Sequence, residues 1–132
     1  MQKRGYRIYA ASPEISSSSL DILESNNINH IQIKLSRKSF SLYNLVSSIF
    51  ELLRIYKEIN PDIVLSYMHK SIIAANIASQ IHGVKSIFSM ITGLGHVYYD
   101  SSIRGNVVRK ITNILLKISL KNTKKVFFQN HD

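Results

Sequence analysis

Apolar residues recur along the chain in two periods, one of two residues and one of three to four, and their alternation predicts short strands separated by helices. Tyr6-Arg7-Ile8-Tyr9-Ala10-Ala11 alternates and is rich in β-forming residues, and Ser12-Pro13 closes it as a first strand. Ser16 to Ser19 precede Leu20, Ile22 and Leu23; Ser18 and Asp21 have capping-box spacing, which predicts a helix ending near Asn26-Asn27. His30-Ile31-Gln32-Ile33-Lys34-Leu35 alternates as a second strand and runs into the polar loop Ser36-Arg37-Lys38-Ser39. Leu42, Leu45, Val46, Ile49, Leu52, Leu53 and Tyr56 then mark the clearest helix, with Asn44, Ser47, Ser48, Glu51, Arg54 and Lys57 between them.

Asn60-Pro61-Asp62 stops that helix. Ile63-Val64-Leu65-Ser66-Tyr67 reads as a strand of the kind covered on both faces in parallel sheets. Ser71 to Ile81 forms a helix with Ala74, Ala75 and Ala78 for close packing, and His82-Gly83 ends it. Lys85 to Ile91 is a fourth strand. A helix from about Ile103 to Leu120 follows, with Val107, Ile111, Ile114, Leu115 and Ile118 on one side, a stripe expected to cover the sheet. Lys124 to Asn130 closes the chain as a last strand. Strands and helices at this spacing predict the α/β class, a Rossmann-like doubly wound parallel sheet with helices on both faces. Ligands of such sheets bind at the carboxyl ends of strands. In this chain those ends carry Ser12-Pro13, Ser36 to Lys38, Met68 to Lys70, Thr92 to His96, and Asn130 to Asp132.

With 132 residues, 45% of them hydrophobic, the chain is one domain or part of one, with enough apolar surface for a core. Seventeen Lys and Arg against eight Asp and Glu give a net charge of +9, a field that favours phosphates, nucleic acid or an anionic membrane. The C-terminal part carries Arg104, Arg109, Lys110, Lys117, Lys121, Lys124 and Lys125, with no acidic residue from Ser101 to His131. Cysteine is absent, which excludes disulfides, thiolate catalysis and cysteine-based zinc sites and fits a reducing cytoplasm. No apolar run reaches the roughly 18 residues that cross a bilayer. The best candidate, Leu42 to Tyr56, is interrupted by Glu51 and Arg54, and Met1 to Gly5 lacks a signal-peptide core. A membrane, if met, is met at its surface.

The chemistry concentrates in Ile91-Thr92-Gly93-Leu94-Gly95-His96-Val97-Tyr98, a glycine loop directly after a strand. Its spacing matches neither the dinucleotide fingerprint nor the phosphate loop. Gly93 and Gly95 nevertheless let backbone approach a ligand without a Cβ in the way, which makes them and Thr92 the leading site candidates. Lys70 and His69 follow a strand end, His96 sits at the loop tip, and Arg37 and Lys38 follow the second strand. His30, His82 and His131 show no metal-ligand spacing, so no metal site is expected. Glu51, Glu58 and Asp100 form no pair suited to acid/base work, and no catalytic residue is assigned.

Several pieces in order resemble the N-terminal domain of GT-B glycosyltransferases, particularly the retaining family four. These are Gly5-Tyr6 opening a strand that ends in Ala11-Ser12-Pro13; Asn60-Pro61-Asp62-Ile63-Val64; His69-Lys70 before an alanine-rich helix; Thr92-Gly93-Leu94-Gly95; and the closing Phe127-Phe128-Gln129-Asn130. The resemblance implies that residues 1–132 are a single partial acceptor-side domain, lacking the family's first strand, with the C-terminal donor-binding domain absent. It implies sugar transfer with retention from a nucleotide-sugar donor, held by a missing domain or partner chain. The acceptor is lipid-linked or a saccharide, in assembly of cell-surface polysaccharide such as lipopolysaccharide or capsule.

Thr92, Gly93, Gly95, His96, Lys70, His69 and Arg37 are then acceptor-side candidates, and Arg104, Arg109 and Lys110 would meet diphosphate or an anionic membrane surface. No cofactor is implied, and the place is the cytoplasm, with the inner face of the plasma membrane as a peripheral site. The fragment alone is expected to be inactive. One alternative is a non-catalytic, membrane-docking subunit of a split glycosyltransferase. Another is a basic nucleic-acid-binding domain, which the missing recognition helix and the missing aromatic sheet face argue against, so no nucleic acid is expected.

Overall fold

The computed structural model describes residues 5–35, 41–92 and 103–129. The chain divides into two compact units, Met1–Ser39 and Phe40–Asp132. Parallel strands joined by crossover helices make up both, which is the α/β class expected from the alternating pattern. The described strands are distributed over two sheets, one in each unit.

The first unit contains β1 (Tyr9–Ser12), α1 (Ser17–Ser25) and β2 (Asn29–Gln32). β1 and β2 pair in parallel from Tyr9↔Asn29 to Ser12↔Gln32, and α1 supplies the crossover that a parallel pair needs. Both strands are shorter than the alternation predicts. Asn27, at φ 49°, turns the chain immediately before β2, so the ladder begins with Asn29 N–H donating to the Ile8 carbonyl at 3.1 Å. Pro13 has no N–H to carry the ladder beyond the bond from Ile33 N–H to the Ser12 carbonyl. The capping residue of α1 is Ser16 rather than Ser18. Ser16 has extended backbone and its Oγ accepts from Ser19 N–H at 3.3 Å, whereas Ser18 already lies inside the first turn, where it cannot cap.

The second unit contains α2 (Leu42–Ile59), β3 (Ile63–Tyr67), α3 (His69–His82), β4 (Ser86–Ile91), α4 (Ile103–Leu120) and β5 (Lys125–Phe128). Its sheet has the order β3-β4-β5, all parallel. α3 lies between α2 and α4 and over β3 and β4, so Ile72, Ile73, Ala74, Asn76, Ala78 and Ser79 are all buried and small residues dominate. Gly83 ends the helix at φ 86°, a conformation that a Cβ would strain.

α2 packs on α3 through Leu45, Ser48, Leu52 and Tyr56. Ser48 enters this seam because its Oγ donates to the Asn44 carbonyl at 2.8 Å and so needs no other partner. Leu42 and Val46, which the apolar spacing places with the core stripe, rotate to the flank and are exposed.

The structure corrects two expectations. Within the second unit, Ile63, Leu65 and Tyr67 on β3 are each more than half exposed, so the helices of that unit cover this strand on one face only. The strand order advances in one direction, and right-handed crossovers then leave both α3 and α4 on the same side of the sheet.

The second correction concerns α4. Its bounds match the expected helix, but it buries Gly105, Thr112 and Ser119, spaced a heptad apart, and leaves Val107, Ile114 and Ile118 between 51% and 55% exposed. Small residues let it approach α3 closely, where Gln80 Nε2 donates to the Ser119 carbonyl at 2.7 Å. Thr112 Oγ1 and Ser119 Oγ donate to the Val108 and Leu116 carbonyls of their own helix, each at 2.8 Å, so burying them strands no hydroxyl.

Candidate functional site

The register Tyr67↔Met90 brings β3 and β4 to an end at one rim of the sheet, and Gln129 N–H donates to the Ile91 carbonyl at 3.1 Å as β5 ends beside them. The turn from β3 into α3 and the residue Thr92 therefore leave neighbouring parallel strands on the same side, where open α/β sheets bind ligands. His69 and Lys70 are the first residues of α3 rather than the loop before it. They belong to a helical N-terminus, whose amide dipoles favour negative charge.

The turn is made by Met68, a non-glycine residue held at φ 68° and ψ 137°. Its carbonyl accepts the first helical hydrogen bond, from Ile72 N–H at 2.9 Å, and its side chain caps nothing. Backbone in this region is costly for a residue with a Cβ and persists where surrounding packing over-determines it. Burial pushes the His69 imidazole below its ordinary pKa and the Lys70 ammonium below its own. A neutral imidazole and a partly desolvated amine at a helix N-terminus suit hydroxyl and phosphate oxygens.

Behind the rim a buried polar cluster joins α3 to the sheet. Ser66 Oγ on β3 donates to Asn76 Oδ1 at 2.8 Å; Asn76 Nδ2 donates to Ser89 Oγ on β4 at 2.8 Å and to Thr123 Oγ1 before β5 at 3.1 Å. Ser66 and Ser89 hydroxyls lie 3.3 Å apart and close the ring. Asn76 and Ser89 are fully buried, and Ser66 is nearly so. One α3 side chain thus links β3, β4 and the turn that leads into β5. Its signal in the sequence is slight, amounting to single polar residues at Ser66, Ser89 and Asn76 inside otherwise apolar or alanine-rich segments.

Of the site candidates, the structure brings His69, Lys70 and Thr92 to one rim. Gly93, Gly95, His96 and Arg37 lie outside the described residues, as does the side chain of Arg104. Arg109 is half-buried and donates to the Asn106 side chain one turn earlier on α4, while Lys110 is exposed on the outer side of that helix. His30 hydrogen-bonds the Ser12 hydroxyl at 2.9 Å, and His82 lies 3.2 Å from Asn60 Oδ1 and edge-on to Tyr56. These contacts are structural. Among the described residues no group of three His, Asp or Glu side chains is placed to hold a metal.

A Glycosyl transferase 4-like family matches residues 1–130, almost the whole chain. The chain belongs to this family. It is 30% identical over 100 residues to the N,N'-diacetylbacillosaminyl-diphospho-undecaprenol alpha-1,3-N-acetylgalactosaminyltransferase of Campylobacter jejuni subsp. jejuni serotype O:2, a match covering 76% of this chain and 27% of that enzyme. In fold it is similar to the crystal structure of Acinetobacter baumannii MurG, with a TM-score of 0.57 and 14% identity over 99% of this chain and 39% of that one. The chain therefore spans well under half the length of either protein. In this member of the glycosyltransferase family, His69, Lys70 and Thr92 occupy the rim where an open parallel sheet receives its ligands.

Proposed function

We propose that the chain is the acceptor-binding part of a retaining glycosyltransferase acting on a lipid-linked saccharide in cell-surface polysaccharide or oligosaccharide assembly. The observation that carries this reading is the shared rim, where a basic helix N-terminus and Thr92 leave adjacent parallel strands. Such a rim offers amide dipoles and a cation to diphosphate oxygens and hydrogen-bonding groups to sugar hydroxyls. The Campylobacter relative is named for transfer onto a sugar carried by diphospho-undecaprenol, an acceptor of this chemistry. The nucleotide-sugar donor is met by other residues, in a longer chain or a partner chain, and residues 1–132 alone do not turn over substrate.

Among the described residues no helix is long and apolar enough to cross a membrane, and we place the chain peripherally at the inner face of the membrane that carries the acceptor. Titration with a water-soluble short-chain prenyl-diphosphate amino sugar, followed by amide NMR, tests the reading. Shifts should concentrate at residues 68–71 and 92, and Lys70→Ala should weaken binding by about tenfold, as for loss of one charge-assisted hydrogen bond. Tighter binding of a nucleotide sugar than of the acceptor, or turnover by the purified chain alone, would refute it.

A further inference from the structure

In the second unit, Ser66 and Ser89 face α3, so the side chains that alternate with them lie on the other face of the sheet. The register sets these side chains in rows across the strands. Ile63 stands beside Ser86, Leu65 beside Phe88 and Lys125, and Tyr67 beside Met90 and Phe127. The last of these rows is the one at the rim. Tyr67 comes immediately before the Met68 turn that leads to His69 and Lys70, and Ile91 alone separates Met90 from Thr92. Along β3 this face changes from aliphatic, at Ile63 and Leu65, to aromatic at the rim, where Tyr67 is 55% exposed.

We propose that Tyr67 is the stacking wall for the acceptor's sugar, the ring lying against the phenol while the diphosphate lies at the start of α3. The inference rests on the function proposed above and names the residue that recognises the sugar. One face of a hexose is made of C–H groups, whose hydrogens carry partial positive charge and match the electron-rich face of an aromatic ring. Such a sugar needs one flat apolar wall with polar groups along its edge. Tyr67 supplies the wall, and His69, Lys70 and Thr92 supply the edge. An isoprenoid chain gains most in a cleft that removes it from water on several sides, whereas a sheet face covers only one. Phe127 is two strands away, roughly 10 Å at the usual strand spacing, too far to share a single sugar ring held beside Lys70.

The test compares two probes on the full chain by calorimetry: a water-soluble short-chain prenyl diphosphate, and the same molecule carrying an N-acetylated amino sugar. Tyr67→Ala should weaken the glycosylated probe by about fivefold, the worth of roughly 40 Å² of apolar surface, and leave the bare prenyl diphosphate unchanged. Tyr67→Phe keeps the ring and should keep the affinity, which separates stacking from hydrogen bonding by the hydroxyl. Lys70→Ala should weaken both probes alike, and Leu65→Ser, one row below on the same face, should weaken neither. Tyr67 and Leu65 are exposed, and unchanged circular dichroism confirms folding of each variant.

Saturation-transfer NMR gives a direct readout: transfer from protein aromatic protons to the sugar's ring protons should be present with the parent and Tyr67→Phe and lost in Tyr67→Ala. The proposal is overturned by a Tyr67→Ala variant that binds the glycosylated probe as the parent does, or that loses affinity for both probes equally. A loss that grows with prenyl length would assign the face to the isoprenoid, and a loss traced to dissociation of a dimer would assign it to a second copy; either result also overturns the proposal. Lys70-dependent binding of both probes with indifference to Tyr67 counts against stacking alone. Failure of both probes to bind the parent removes the proposed function, and the stacking with it.

Discussion

Asn76 links β3, β4 and the turn into β5, and its removal has a calculable effect. Its amide makes hydrogen bonds to Ser66, Ser89 and Thr123 at 2.8, 2.8 and 3.1 Å from a fully buried position. Each such bond contributes about 1 kcal/mol net, and truncation also leaves a small cavity, so Asn76→Ala should cost about 3–4 kcal/mol of unfolding free energy. Ser66 keeps an alternative acceptor in the Phe88 carbonyl at 3.3 Å, which keeps the loss from growing further.

Asn76→Asp has the same shape but donates from neither oxygen when ionised, and it places a carboxyl where charge is excluded. The carboxyl's folded pKa is then raised above its unfolded value of about 3.9. The folded state binds the extra proton, so stability is present at low pH and is lost as pH rises through the folded value. Urea denaturation followed by circular dichroism at acid and neutral pH measures both effects. An alanine variant losing less than about 1 kcal/mol, or an aspartate variant whose deficit against the parent does not widen as pH rises, would refute the network's role.

The turn at Met68 and the imidazole beside it give further predictions. At an ordinary extended N-cap serine outranks glycine by a few tenths of a kcal/mol. At φ 68° any Cβ costs about 1–3 kcal/mol, so Met68→Gly should be more stable than Met68→Ser by about 1 kcal/mol; thermal melts showing serine level or ahead would contradict the strain. His69 should titrate by NMR below the ordinary histidine value of 6.5. Its folded pKa lies below the unfolded one, so the neutral form's contribution is present above 6.5 and lost as pH falls through the folded value, and His69→Gln should lose less stability on acidification than the parent. A His69 midpoint at or above 6.5 would remove the burial argument.

The order of strands and helices was legible in the sequence because local periodicity reports it. α2 begins where the apolar spacing begins, β3 occupies Ile63–Tyr67 as expected, and α4 spans Ile103–Leu120. Strand ends were less legible, because a strand lasts only as long as its partner, and in β1 and β2 the limits come from Asn27 and Pro13 acting together. His69, Lys70 and Thr92 could be nominated from their places after strands. That they share a rim depends on the register between β3 and β4, which residues far apart in the chain decide together.

By itself, then, the sequence determined the α/β class, the crossover helices, the basic character of the C-terminal part and the family likeness, all properties carried by neighbouring residues. Only the tertiary structure decided which face of α4 packs. Periodicity shows that the isoleucines share a stripe, but whether that stripe or the opposite one of Gly105, Thr112 and Ser119 turns inward depends on how closely α3 can be approached. The small stripe allows the closer approach, satisfies its own hydroxyls within the helix, and sends the apolar stripe outward among lysines.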